Sequence, residues 1–502
     1  MKGCGEDRGF VQGGITVFLT LLFGIILALI SVSVENVRYL TGNAYVHTAA
    51  EGAALAVFGE YNRELYEEYG LFAYGGYGRK NGQELAQNVM EQLECALDVS
   101  DTNAAKRSVD IYRITEVLCA VKDVQSLTEP DVFHRQIREY LAVNAIEDLS
   151  RKLKNQYEKE SRDEEKSLKE TLDMTGAYER GEQNTTQVQD KDENSQMDHA
   201  GGNPLETFRE LLRDGILSLV CDVETLADGQ SGKETSASTA DLLMEILFRG
   251  DSSMSSPLQE SARRAELICY GNAMFSSYVT DRNRSVRYGL EYLATGKEEE
   301  RDSLLSVVNQ LLLLRTMANY AYVNTDEELI GESLATATVI AGLLEMPPLI
   351  NAIQQTILLI LSVEESFVDI TALLQGRSVP LIKTKTTFQM KYQEICAAGK
   401  KLFAGKAKNF NKSQGKFIKG YFDYTQYLWI FLMGISEELL RERTCSLIEV
   451  DLRERFNQTF TIEQCIYGAK FSLSYSQALL WAAFYGGDVA KERSVETWHS
   501  YG

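Results

Sequence analysis

Twenty consecutive residues without a charge, Ile15 to Val34 (ITVFLTLLFGIILALISVSV), constrain this chain more than any other feature. As a helix rising about 1.5 Å per residue they reach roughly 30 Å, the depth of a bilayer's hydrocarbon core. Fourteen of them are Ile, Leu, Val or Phe, and their insertion free energies add to about 4–8 kcal/mol in favour of the membrane. The lipid bilayer is therefore the first expected partner. A cleaved secretory signal carries a basic n-region, an apolar core of about 7–15 residues and an A-x-A-like site. Here the core is longer, the tail MKGCGEDRGFVQGG mixes both signs of charge, and SVSVENVRYL offers no good small-residue site. The segment is read as a retained, single-pass anchor of the cell membrane, with the amino terminus cytoplasmic and the bulk of the chain extracytoplasmic.

The chain beyond the anchor is long enough for two or three domains. The formal net charge of −21 repels nucleic acid and the anionic face of a membrane, so no nucleic-acid partner is expected. With six prolines in 502 residues, long stretches are free to be helical. The eight cysteines are dispersed without a C-x-x-C pair, which speaks against a disulfide-built domain or a zinc site.

Residues 35–69 carry Ala50, Ala54, Val57, Phe58, Tyr61, Leu65 and Tyr69 at helical spacing, with Gly70 placed to accept a left-handed cap. This predicts a helical stalk over 35–72 that continues out of the membrane. Ala49, Ala50, Gly52, Ala53 and Ala54 make it narrow enough for another backbone to approach closely.

The tail ending in Gly13-Gly14, the anchor entered as ITVFL, and the small-residue run from His47 to Ala56 together resemble the TadE/TadG-like minor pilins, pseudopilins of tight-adherence (Flp-type) pili. Glu60 to Phe72, EYNRELYEEYGLF, is similar to a group of uncharacterised anchored proteins from clostridia-like bacteria. The resemblance implies a structural or assembly role beside other pilin-like subunits in a Tad-type pilus or secretion apparatus. It also implies a prepilin peptidase acting between Gly14 and Ile15. Pilin-like subunits carry a Glu at the fifth residue after that junction, and here the fifth is Leu19, which fits an accessory subunit better than a major shaft pilin.

Beyond the stalk the expected division is 73–174 as a first ectodomain part, 175–257 as linkers with short docking helices, and 258–502 as a mainly helical second part. Ala73 to Asn81 reads as a glycine-rich connector, 84–97 as a short helix and 109–124 as strand. Asp131 to Met174 is a long charged helix. Residues 175–203 hold no Ile, Leu or Phe to offset ordering entropy and read as linker. Next come a helix over 204–226, a flexible stretch over 227–239 and a short apolar docking helix over 242–248.

Residues 258–281 then begin a largely helical second half. Val286, Tyr288, Leu290 and Tyr292 alternate as a strand would, 298–323 is a buried helix, and 334–374 forms two packed core helices. Residues 379–388, whose LIKTKTTF alternates, read as an edge strand or strand pair. The lysine-rich 400–419 reads as a solvated helix or loop, 424–456 as one long helix, and 467–475 as strand before a helix at Trp481 and a polar end. The fold class is α+β, predominantly helical.

Four histidines, His47, His134, His199 and His499, lie far apart. No H-E-x-x-H, G-x-S-x-G or metal-ligand spacing accompanies them. No catalytic residue, cofactor or metal is expected, and the chain is read as a non-enzyme. Acidic pairs such as Glu67-Glu68 and Glu437-Glu438 read as solvated faces. The alternative to the pilus role is a surface-anchored binding or adhesion protein, and a third is an anchored hydrolase.

Overall fold

The structure, a computed structural model, describes residues 7–78, 81–97, 112, 114–144, 208, 215–233, 258–413, 420–479 and 490–501. It divides into unit 1, residues 1–133 with 456–502, and unit 2, residues 134–455. This corrects the expected division. The last strands fold with the amino-terminal half, because strand pairing joins residues that are distant in sequence.

Unit 1 is built on α1, Asp7–Phe58, a single helix of 52 residues. Among the described residues it is the one helix long and apolar enough to cross a membrane, and none of its most apolar stretch is buried inside the protein. A core helix would be covered; this one leaves Ile15 to Val34 bare, as a span would. The helix then stops at Phe58, earlier than predicted. Asn62 takes the N-cap of α2, Arg63–Tyr69, accepting the Leu65 N–H at 3.0 Å and donating its side-chain amide to the Gly75 carbonyl at 2.9 Å. Gly70 closes α2 in the left-handed conformation, φ 67°, as its position predicts.

Strand β1 is Tyr74–Tyr77, where the sequence reads as a connector. Pairing and the burial of Tyr74 beside Phe58 supply what glycine-rich propensity does not. Helix α3, Asn81–Leu97, and β2, Ile114–Ser126, match their predictions closely. Two strands complete the sheet: β3, Phe460–Ala478, and β4, Ala490–Ser500. β4 occupies what reads as a polar end. β3 is central and antiparallel to all its partners, with β2 along one edge and β1 and β4 end to end along the other.

The sheet alternates as a half-buried sheet must. Ala469, Phe471, Leu473 and Tyr475 of β3 face the core with Val46, Ala50, Ala54 and Phe58 of α1 and Leu85, Val89 and Leu93 of α3. On β4, Glu496 pairs with Lys122 and, at 2.8 Å, with Lys470. Those two lysines hold its carboxyl down at about 2.

Unit 2 is helical. Its helices are α4 over 130–144, at whose start the unit boundary falls, then α5 Ile216–Val220, α6 Leu258–Met274 and α7 Gly289–Thr295. After these come α8 Glu300–Val323, α9 Glu327–Leu343, α10 Ile350–Leu374 and α11 Lys400–Ala407. The last two are α12 Tyr424–Met433 and α13 Glu437–Arg455. The pair α9 and α10 bears out the two-helix reading of 334–374, and α8 matches 298–323. A two-residue ladder, Val379–Pro380 with Tyr421–Phe422, is all that remains of the predicted strand at 379–388.

Three further predictions are corrected. Val286 to Tyr292 is not a strand: α7 is buried throughout, and Glu300 accepts the backbone N–H of Arg287 and Tyr288, donors a strand would give to its ladder. Of the helix predicted at 204–226, the described residues show Phe208 as helical, then the short α5, which ends at the extended Cys221, and a 3-10 turn at Val223–Thr225. The helix at 424–456 breaks at Gly434–Ser436; Asp423 caps the start of the first piece and Ser436 the start of the second. Residues 145–207, which hold the tail of the charged helix and the 175–203 linker, lie outside the described residues, as do 234–239 of the predicted flexible stretch, the 242–248 run and the Trp481 helix. The described part of that stretch, 227–233, is tied down instead: Gln230 bridges to Glu299 and the Ser231 N–H donates to the Glu298 carbonyl at 2.7 Å.

Candidate functional site: the outer half of the long helix

Helix α1 leaves the apolar span at Val34, and the next turns carry the side chains that fix it to unit 1. Arg38 is buried. Its guanidinium donates to both carboxylate oxygens of Glu35, at 2.9 and 3.0 Å, and to the carbonyls of Tyr112 at 3.3 Å and Ala478 at 3.4 Å. One turn on, Gly42 lets Gln477 and Tyr112 lie against the helix; a Cβ there would come within 2.9 Å of the Gln477 amide nitrogen. Asn43 accepts the Tyr475 hydroxyl at 3.1 Å, and the Arg493 guanidinium stacks 3.3 Å above the Tyr39 ring. At the far end, Tyr501 donates its hydroxyl to the Phe58 carbonyl at 2.7 Å. The span is thus continued rigidly into the folded unit, held by residues from β3, β4 and the end of the chain.

The five small residues expected to share one packing face do not share it. Ala50, Ala53 and Ala54 are buried against the chain's own sheet, Ala49 is half-buried, and Gly52 is exposed. Their smallness lets α1 lie close on β3, so this surface is already occupied within the chain. The uncovered side is a different stripe. Ala44, Thr48, Gly52 and Ala56 recur every fourth residue and are all exposed, and a Cβ added at Gly52 would meet nothing within 4 Å. Leu40 and Leu55 flank the stripe and are exposed too. Small residues at this spacing allow two helices to approach closely. As for the junction the resemblance implied, Gly14 and Ile15 both lie within α1, and Ile15 and Leu19 are exposed.

Four titratable groups of unit 2, Arg315, Asp369, Lys383 and Glu365, make a buried network. Arg315 donates from two guanidinium nitrogens to Asp369, at 3.0 and 2.8 Å, and from the third to the Leu381 carbonyl and the Tyr427 hydroxyl. Lys383 donates to Glu365, to Asp369 at 2.6 Å and to the Thr387 carbonyl. Glu365 also receives the backbone N–H of Gln389 and Met390. Burial pushes both carboxyls up, but Arg315 and Lys383 outweigh it at Asp369, whose carboxyl falls below its usual value; Glu365 stays above. Two cations and two anions balance, and every strong donor is used. Such a network clamps the segment 381–390 to α8 and α10 and leaves no acid or base free to react.

Two other buried acids differ. Glu291 accepts the Tyr278 N–H and the Tyr424 hydroxyl, both at 2.8 Å, yet burial lifts its carboxyl to about 7. Among the described residues Glu364 has no hydrogen-bond partner at either oxygen, and burial lifts it to about 9.

The histidines do not converge. His47 is on α1, 3.4 Å from Glu51. His134 is buried in unit 2, its Nε2 2.6 Å from Glu437, which is half-buried, while its neighbour Glu438 is exposed. His499, on β4, packs edge-on to Phe58, and burial lowers its pKa. His199 lies outside the described residues. Among those residues no group of three or more His, Cys, Asp or Glu is arranged to hold a metal, and Cys95, Cys119, Cys221 and Cys269 are free thiols. Of the basic stretch, Lys400 reaches the Cys221 carbonyl and Asp222, and Lys406 binds Glu394 at 2.8 Å. Phe403 is buried against Phe367.

The sequence profile of one family matches residues 192–477, most of unit 2 and β3 almost to its end. The chain belongs to DUF5702, a family of unknown function. The DUF5702 match leaves α1 outside it. It takes in the buried network, Glu291 and Glu364. No curated protein and no solved structure matches the chain.

Sequence reasoning missed Arg38, Gly42 and Asn43 as the grip on α1, and Arg315, Asp369 and Lys383 as a network. The one signal for the latter was acids within an otherwise apolar helix, EESFVD over 364–369.

Proposed function

We propose that this DUF5702 chain is a membrane-anchored, pilin-like accessory subunit, structural or assembly-related, in a Tad-type pilus or secretion apparatus. Its tail is cytoplasmic and both folded units are extracytoplasmic. One observation carries the reading: α1 runs unbroken from the bare apolar span onto its own sheet while leaving the Ala44, Thr48, Gly52, Ala56 stripe uncovered. A subunit that assembles beside its neighbours along the membrane needs this division of one helix into a lipid face, an inward face and an outward face. The mechanism is packing, without catalysis or cofactor: the outward stripe docks on a pilin-like neighbour, and the units cap or display. The prepilin peptidase would act at Gly14–Ile15.

Intact-mass analysis of the chain from native membranes tests the processing step, and a start at Ile15 supports it. Thr48→Cys, with Cys95 and Cys269 replaced by serine, should cross-link to a pilin-like protein in the same membranes. Filaments that persist unchanged when the chain is deleted, with no such cross-link, would overturn the pilus role in favour of an independent surface-binding protein.

A further inference from the structure

The hairpin of α9 and α10 ends in a segment that the fold leaves bare. Every residue from Gly342 to Leu349 is exposed, with Leu343 at 81%, Leu344 at 56% and Met346 at 51%. The backbone of this tip is built. The Met346 N–H donates to the Ala341 carbonyl at 2.9 Å, the Leu349 N–H donates to that of Met346 at 3.0 Å, and Pro347 and Pro348 open a 3-10 turn. The apolar side chains are therefore held outward by a defined turn.

Charge singles the hairpin out further. Between Glu332 and Glu364 the one charged residue is Glu345, in a chain of which a quarter is charged. The neighbouring Thr338 and Thr356 direct their hydroxyls to carbonyls of their own helices, at 2.8 Å each. A protein interface surrounds its apolar core with a polar rim and draws its hot spots from Trp, Tyr and Arg, and this stretch offers no Trp, Tyr, Arg or Lys. Lipid asks for no complementary shape; it accepts an apolar tip and penalises charge. The chain also carries its own span, so a bilayer is presented to the hairpin at high effective concentration and a few side chains suffice.

We propose that the tip of the α9–α10 hairpin inserts shallowly into the lipid bilayer, with Leu343, Leu344, Met346 and Leu349 at the acyl boundary and Glu345 at head-group level. Insertion of this monotopic kind reaches roughly 5–10 Å into the boundary region. The inference rests on Ile15–Val34 spanning the same membrane, and it gives unit 2 a lipid contact of its own.

The test uses the full chain reconstituted in phosphatidylcholine vesicles, with a photoreactive phenylalanine analogue at one site per variant: Phe23 in the span, Leu344 at the tip, and Lys385 as an exposed control in unit 2. Lipid adducts are read by mass. The expected result is adducts at Phe23 and Leu344, with Lys385 lower by about tenfold or more. With the probe at Met346, Leu343→Asp with Leu344→Asp should lower the yield by a similar factor and leave Phe23 unchanged. Both changes are at exposed positions, so folding is retained. Adducts at Phe23 with none at Leu344 would overturn the tip insertion while keeping the anchor. A Leu344 adduct to a second protein chain would overturn it in favour of a protein interface. No lipid adduct at either site would overturn the anchor and the insertion together.

Discussion

Replacing Glu364 by glutamine should stabilise unit 2 by an amount that grows with pH. Glu364 is buried on α10 with no partner among the described residues for either carboxylate oxygen, and burial raises its carboxyl from 4.5 to about 9. The folded chain keeps a proton there that the unfolded chain releases above about 4.5. Between those values the unfolded state binds fewer protons, so stability is highest below pH 4.5 and falls as pH rises toward 9. Each unit is worth about 1.4 kcal/mol. At pH 5 the cost is therefore about 1 kcal/mol, and at pH 8 about 5 kcal/mol, as order-of-magnitude figures. Glutamine copies the shape of the protonated acid and cannot ionise, so the variant removes this cost without opening a cavity.

Thermal unfolding of the full chain in detergent at pH 5 and pH 8, wild type beside Glu364→Gln, reads the effect. Other titrating groups cancel in the difference. At roughly 2 °C per kcal/mol for a unit of this size, the gap between variant and wild type should widen by about 8 °C from pH 5 to pH 8. A gap that stays constant, or closes, would refute the argument, because it would mean that Glu364 ionises in the folded protein as it does in the unfolded one.

Glu291→Gln should show the same sign with an earlier plateau: its carboxyl is lifted only to about 7, so the gain should reach about 3 kcal/mol near pH 7 and grow no further, by the same unfolding measurement. Lys383→Met should cost about 3–5 kcal/mol by leaving Glu365 uncompensated beside Asp369, and the double change with Glu365→Met should recover most of it; equal losses in both would argue against a coupled network. Gly52→Ala should raise the stability of unit 1 by up to about 1 kcal/mol, since the added methyl meets nothing and helix propensity improves. Gly52→Leu should leave folding intact and lower the Thr48→Cys cross-link expected of a neighbouring subunit. Asn62→Ala should cost about 1 kcal/mol through loss of the α2 cap, visible in the melting of unit 1.

Features set by neighbouring residues were legible in the sequence. The bare span, the cap at Gly70, α3, β2, α8 and the α9–α10 pair all come from local period, composition and turn chemistry. Misreadings arose where partners lie far along the chain. Tyr288, Leu290 and Tyr292 alternate as in a strand, but the carboxylate of Glu300 takes the donors that a strand would use. Tyr74 and its glycines look like a connector until β3, nearly four hundred residues later, pairs with them.

The same distance rule explains why a close-packing face on α1 could be suspected in the sequence but not oriented. Ala49 to Ala54 announces that something packs closely on α1, because small side chains have few other uses in a helix interior. Which of those residues face inward is decided by the sheet, and Arg38, which helps set the rotation of the helix, finds its carbonyl acceptors 74 and 440 residues away. Once the sheet claims Ala50, Ala53 and Ala54, the helical period alone leaves Ala44, Thr48, Gly52 and Ala56 on the opposite side. The outward stripe is thus a consequence of the inward one. A substitution that rotates α1 on its sheet, Arg38→Ala above all, should disturb both faces together, lowering the stability of unit 1 and the Thr48→Cys cross-link in the same variant.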